Sequence, residues 1–469
     1  MTSTLSSANV ATLIPLLTLI GTAACILLFD LRGIPWRFSA WVALASLVIV
    51  AALTLIVAIS GQGDAVQGML SGDRAAIPFA LFLHGVGSAT VLFGIGCADE
   101  TGQQGGTYAL LLLTVAGGMI VAQSIHMLPL AIGLAILLTA ACPLLGPRAA
   151  WRALIAHGIG LAILLLGIAL LYGAAGSLRL DSILEHLRRQ AVNDAPNSLT
   201  VLGIGLFVAG LTPVLAAAPF HTWLPTAYRK AQPIGGFVTS LALPGTALAA
   251  LAPLVTAYPP RVSTLLAVLG SLSILSGTGL ALRSQQIRNA LAGITIAQTG
   301  SLLLALSGTP ALGRPALLYI MISNTLGLAG LWAMAHNVRR ADHSPILLQD
   351  LTGLGHRRPW LAGAATICLL NLAGAPPLAG GVAHLYLLRA VRTEHSWALI
   401  PTLLGTLFTW LLTWRWLSAT WMHPLGARRW LPTTPEIALI ALGSAAGTLA
   451  AGLYADGILN SIANLLPLV

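Results

Sequence analysis

Apolar residues run through this chain in stretches too long and too unbroken for the one-sided faces of soluble helices or strands, and short polar connections punctuate them from end to end. Each run reaches about 18 residues or more, the length that carries a helix across a bilayer. The pattern predicts about fourteen spans, at 9–29, 40–60, 75–97, 106–124, 126–146, 151–173, 198–228, 233–254, 261–282, 287–308, 314–337, 359–393, 397–420 and 433–455. Two of them are broken from within. The stretch PFHTWLPTAYRKAQP holds Pro219, Pro225 and Pro233, which remove backbone donors and force the helix open around His221, Thr222 and Trp223. The stretch AGAPPLAGG (373–381) holds Pro376 and Pro377, with His384 just beyond. Irregular backbone at membrane depth persists only where protein buries it or it lines a wet cavity, so both breaks are candidate functional centres. Their corresponding positions suggest an internal repeat.

The longer polar connections carry less. In 174–197 the segment LDSILEHLRR spaces its apolar residues as a helix does, which predicts a short helix along the surface. Another connection, 336–359, contains RRADHSP and GHRRP.

Composition agrees with the pattern: 57% of residues are hydrophobic and 8% charged, with a mean hydropathy of +0.88. A soluble globular domain is excluded, and an all-α polytopic membrane protein in contact with the lipid bilayer is expected. The first run has no basic residue before it and no cleavage site after it, so it reads as a retained helix. The net charge of +10 does not point to nucleic acid, because no Lys/Arg run exceeds two residues. Basic residues instead favour one side of the membrane. The loops after odd-numbered spans hold 15 of the 23 Lys and Arg residues, which places the N-terminus outside the cytoplasm. Cys25, Cys97, Cys142 and Cys368 stand apart in or beside apolar runs and read as small core residues.

Moving a proton across a bilayer needs ionisable groups within it. All 13 carboxylates fall in connections or within a turn of a span end, Glu436 just inside the last, and the single lysine, Lys230, sits in the first break. Histidine remains at depth: His84, His157, His221 and His384, with His126 nearer an end, and Arg288 and Arg389 close to helix ends. Imidazole accepts a proton on one nitrogen and donates from the other near neutral pH, so it alone can relay. His84 and His157 read first as interhelical contacts and second as relay groups. His221, beside a proline-freed carbonyl, supports either role equally, and His384 favours the functional one. Arg389 reads as snorkelling to the interface. No phosphate-binding loop, metal-ligand cluster or nucleophile–base pair is present in the sequence. The 49 glycines read as points of close helix packing.

These stretches resemble the antiporter-like membrane subunits of respiratory complex I and its relatives, the multi-subunit cation/proton antiporters, membrane-bound hydrogenases and inorganic-carbon uptake complexes. PFHTWLPTAYRKAQPIGGF resembles the family's broken seventh helix and the start of its eighth. GLGHRRPWLAGAATICLLNLAGAPPLAGGVAHLYL resembles the broken twelfth, and RNALAGITIAQTG the tenth. LLLGIALLYGAAGSLRLDSI, the PFH triplet and HLYL are most similar to the subunit-N branch. The resemblance covers roughly 105–395 and implies three N-terminal helices (1–105), two inverted five-helix repeats (106–254 and 255–420) and a C-terminal helix (421–469). It implies proton translocation coupled to NADH:quinone electron transfer elsewhere in a multi-subunit membrane complex, with no cofactor in this chain and a bacterial-type inner membrane as its place. The departures are specific. Ala135 stands at the family's helix 5 glutamate, Val214 at its helix 7 lysine, Gly245 at a helix 8 lysine and His384 at the helix 12 lysine, while Arg288 keeps a basic position. A buried Glu–Lys pair works through mutual pKa shifts, and losing all members together avoids leaving one charge uncompensated. The expectation is a degenerate relay reduced to histidine around His221 and His384. The alternatives are a purely structural module, or the membrane subunit of a proton-coupled inorganic-carbon or cation transport complex.

Overall fold

The computed structural model describes residues 7–60, 64–65, 68–71, 76–97, 105–192, 197–257, 259–338, 346–422 and 433–465. The chain opens with α1 (Ser7–Leu31) and α2 (Trp36–Ser60), then a minimal hairpin of β1 (Asp64–Ala65) and β2 (Leu70–Ser71). There follow α3 (Ile77–Cys97), α4 (Gly106–Gln123), α5 (Met127–Leu144), α6 (Pro147–Ala175), α7 (Leu180–Val192), α8 (Ser198–Leu215) and α9 (Trp223–Tyr228). Next come α10 (Pro233–Ala257), α11 (Pro259–Arg283), α12 (Ile287–Leu306), α13 (Pro310–Asn337), α14 (Leu354–Arg357) and α15 (Pro359–Leu372). The last are α16 (Ala379–Glu394), α17 (Leu399–Leu417), α18 (Pro435–Leu453) and α19 (Ala455–Leu465). Among the described residues, 13 helical spans are long and apolar enough to cross a membrane. The remaining expected span is the interrupted pair α15 and α16. The protein is a multi-pass membrane protein.

The helices form two compact units, one of residues up to 215 with 241–262, the other of 216–240 with 263–464. Close packing in the first rests on small residues. Helices α4 and α5 approach until a Cβ on Gly117 would stand 2.8 Å from the carbonyl oxygen of Gly133. Asp30, at the end of α1, accepts from the amides of Gly105 (2.9 Å) and Gly106 (3.3 Å). A carboxylate there meets the positive end of the α4 dipole. The surface helix in 174–197 is α7, which buries Leu180, Ile183 and Leu187 on one face. Its ion pairs, Arg179–Asp181 and Arg189–Glu185, are exposed.

The second unit repeats the device. A Cβ on Gly277 of α11 would stand 2.6 Å from the carbonyl oxygen of Gly293 on α12. Arg415, near the end of α17, donates from its guanidinium to the carbonyl of Leu282 on α11. Tyr319 of α13 donates to the carbonyl of Ala451 on α18 at 2.7 Å.

Some expectations move. His336, inside the expected span 314–337 although also the first residue of the connection 336–359, lies in the last turn of α13, buried at 8% exposure. Cys97, Cys142 and Cys368 are buried as expected, whereas Cys25 is exposed on α1. Arg288, Arg389 and Arg415 all lie inside helices, near their ends. Asp73, Asp99, Glu100, Asp194, Asp342, Arg339, Arg340, Arg428 and Arg429 lie outside the described residues.

Candidate functional site

Both breaks exist, and in each a side chain takes up a backbone group that the broken helix leaves without its regular partner. At the first, α8 ends at Leu215, Ala216 turns left-handed (φ +52°), and Ala218–Pro219 is a cis peptide. A 3-10 turn, Phe220–Thr222, leads into α9. The freed amide of Ala218 donates to Oγ of Ser273 on α11 at 2.9 Å. Trp223 and Pro225 are buried in α9, while Pro219 and Thr222 are exposed. His221 is partly exposed, and its Nδ1 has no hydrogen-bond partner among the described residues. Pro233 is the first residue of α10. The turn ahead of it is held by Arg288, whose guanidinium donates to the carbonyl of Ala231 at 2.8 Å. Tyr228, the last residue of α9, stacks edge-on to Trp332 of α13 with centroids 5.1 Å apart. Its hydroxyl is buried near those of Thr239, Ser240 and Thr295.

At the second break, α15 ends at Leu372, Gly374 takes φ +80°, Pro376–Pro377 is cis, and α16 begins at Ala379. Pro376 and Pro377 are exposed, but the turn behind them is packed. Asn371, fully buried, accepts at Oδ1 from the amide of Gly380 at 2.7 Å. Its Nδ2 donates across to the carbonyl of Ser323 on α13 at 2.9 Å. Gln298 of α12 donates to the carbonyl of Leu372 at 3.3 Å. These bonds satisfy freed backbone groups from within the protein, as a broken helix in a membrane requires. Gly374 is required twice over: its backbone is left-handed, and a Cβ would stand 2.8 Å from Cγ and Nδ1 of His384.

Beside this turn lies a cavity of about 10 Å³, room for about one water. Gln298, Ser301, Ser323, Asn324, Asn371 and His384 supply its polar lining. His384 is the titratable side chain among the lining residues. Its Nδ1 lies 2.9 Å from the carbonyl oxygen of Gly380, one turn back on α16. Asn324 is buried, and its Nδ2 has no partner among the described residues. Imidazole, amides and hydroxyls in one small space can accept, orient and release a proton through a single water.

The other expected relay residues are elsewhere. His84 on α3 and His157 on α6 belong to the first unit, each buried inside its helix. His84 places Nδ1 2.5 Å from the carbonyl oxygen of Ala80 one turn earlier. His221 sits at the first break and does not line the cavity. A search for charge passes over Gln298, Asn324 and Asn371. The signal for them is neutral amide side chains inside apolar runs, costly to bury without partners. No group of three or more His, Cys, Asp or Glu that could hold a metal occurs among the described residues.

Comparison with known proteins gives a consistent set. The family described as NADH:quinone oxidoreductase/Mrp antiporter, TM matches residues 131–409. NADH-quinone oxidoreductase subunit N of Trichlorobacter lovleyi is 29% identical over 86% of this chain and 86% of that protein. Subunit N of Xanthomonas euvesicatoria pv. vesicatoria is 30% identical over 84% of this chain and 83% of its own length. A chain of respiratory complex I from Thermus thermophilus with bound aureothin superposes with a TM-score of 0.79 at 25% identity, covering 96% of this chain and 99% of that one.

Proposed function

Since this chain belongs to the NADH:quinone oxidoreductase/Mrp antiporter family, we propose that it is an antiporter-like membrane subunit of a complex-I-related assembly. In that assembly proton translocation is coupled to NADH:quinone electron transfer carried out by other subunits, and this chain carries a reduced proton relay and no cofactor. The bacterial relatives named subunit N support a place in the inner membrane.

The observation that carries the reading is His384, the titratable group lining the polar cavity at the second break. Where the family resemblance calls for lysine and glutamate, the spanning helices offer no lysine, and the described carboxylates within them lie at helix ends. A lone buried charge would be costly, but an imidazole that is neutral at rest avoids that cost and still exchanges a proton. His221 is a lesser candidate because it does not line the cavity. Arg288 holds the turn before α10. His84 and His157 serve as packing groups within their helices.

The two inverted repeats at 106–254 and 255–420 belong to the same proposal. Two parallels support them. The first two helices of each meet at glycines, Gly117 with Gly133 and Gly277 with Gly293. The fourth span of each is the broken one.

The test is His384→Ala in the assembled complex. A modest fall in protons moved per electron pair is expected, with assembly intact. Unchanged stoichiometry would favour a purely structural module, and complete loss of turnover with assembly intact would contradict a reduced relay. Purification in mild detergent through a tag on this chain should bring down quinone-site and iron–sulfur subunits. Recovery of a large zinc protein instead would favour an inorganic-carbon uptake complex.

A further inference from the structure

Asn371 does more than close the broken helix. Its Oδ1 holds the amide of Gly380 at 2.7 Å, and the carbonyl of the same Gly380 lies 2.9 Å from Nδ1 of His384. The backbone carbonyl of Asn371 also lies so close to the α carbon of Gly380 that a Cβ there would collide with it. Side chain and main chain of Asn371 therefore fix the orientation of Gly380 together. Asn371 is itself anchored, because Nδ2 donates to Ser323 at the carbonyl (2.9 Å) and meets its Oγ at 3.2 Å.

A carbonyl oxygen can only accept. The Gly380 carbonyl therefore demands a proton on Nδ1 of His384, and a neutral ring protonated there carries its lone pair on Nε2. The Nδ1 edge also packs close to Gly374, where a Cβ would stand 2.8 Å from Cγ and Nδ1. We infer that Asn371 is the positioning residue of His384: through Gly380 it holds the imidazole in the Nδ1–H tautomer, leaving Nε2 as the atom that accepts a proton from the cavity. In one cycle Nε2 takes a proton to give imidazolium, and loss of that same proton from Nε2 restores the starting tautomer, so Nδ1–H stays bonded to Gly380 throughout. This inference rests on the relay reading of the site.

The test is nitrogen NMR of the complex with 15N-histidine in this chain, the His384 signals being assigned by their loss in His384→Gln. At neutral pH, His384 in the unaltered protein is expected to show a pyridine-type signal from Nε2 and a pyrrole-type signal from Nδ1. The opposite tautomer, or a doubly protonated ring, overturns the inference without any variant being needed. Asn371→Ala is expected to release the Gly380 carbonyl and give a mixture of tautomers. Asn371→Ser, too short to reach the Gly380 amide, is expected to do the same if the alanine variant does not accumulate. Ser323→Ala keeps the Ser323 carbonyl and the Gly380 bond, so it should leave the tautomer unchanged, whatever it does to thermal stability. An unaltered His384 spectrum in whichever Asn371 variant accumulates overturns the inference. In proton stoichiometry, Asn371→Ala and His384→Ala should each lower the yield, and the double variant should fall no further than His384→Ala alone. Unchanged stoichiometry in His384→Ala would sink the relay reading while leaving the tautomer result standing.

Discussion

Ser273 and Ala218 stand 55 residues apart in sequence, and the hydroxyl of the first accepts from the amide of the second at 2.9 Å. That bond ties the first helix break to α11. Ser273→Ala leaves a buried amide without its acceptor, which costs about 1–3 kcal/mol. The thermal midpoint of the detergent-solubilised protein should fall accordingly, and Ser273→Thr, which keeps the hydroxyl, should recover most of the loss. Equal midpoints for the alanine variant and the unaltered protein would show that the amide finds another partner.

Two glycine-to-alanine substitutions should move stability in opposite directions. Gly374 has φ +80°, and a Cβ there meets the His384 ring. A left-handed alanine costs about 1–2 kcal/mol before the clash is counted, so Gly374→Ala should be among the more damaging changes in the second unit. Gly173, inside α6, has nothing within 4 Å of the place a Cβ would take. There alanine removes backbone freedom from the unfolded chain and should raise stability by about 0.5–1 kcal/mol. Thermal unfolding of the two variants side by side checks both signs.

His395 lies between α16 and α17, outside the spans, with Nε2 3.3 Å from Oγ of Ser263. Burial holds its imidazole below the usual histidine range, and the neighbouring Glu394 charge offsets this in part. A group whose folded pKa is lowered binds fewer protons folded than unfolded, so its contribution is whole above about pH 6.5 and drains away as pH falls. Between pH 7.5 and 5.5 the thermal midpoint should therefore drop further in the unaltered protein than in His395→Gln. Parallel pH profiles would remove His395 from the account.

Spans were legible because bilayer thickness imposes one long apolar run per crossing, and the breaks because proline cannot donate. Thus Pro219 and Pro376 marked where α8 and α15 end. The end of α13 at Asn337 was legible as the end of the span 314–337, but the burial of His336 and Asn337 was not, since it comes from packing. Of the site, His384 was legible as a titratable group next to a break. The amides around it were not, because Gln298 on α12, Asn324 on α13 and Asn371 on α15 reach one cavity only through tertiary packing. Nor could the sequence separate His384 from His221. Both follow prolines, but the fold turns one into a polar cavity and leaves the other outside it.

Asn324 allows stability and transport to be separated at one position. Its Nδ2 is buried without a partner among the described residues, yet the side chain lines the cavity that His384 faces. A buried donor left unsatisfied costs about 1–3 kcal/mol, and replacing it by an apolar group of similar shape recovers part of that. Asn324→Leu should therefore be neutral or mildly stabilising in thermal unfolding. A relay through the cavity needs that donor to orient a water towards the imidazole, so the same variant should lower protons moved per electron pair to about the level of His384→Ala. A purely structural role for the cavity predicts the same stability with unchanged stoichiometry. Measuring both quantities on one preparation decides between the two.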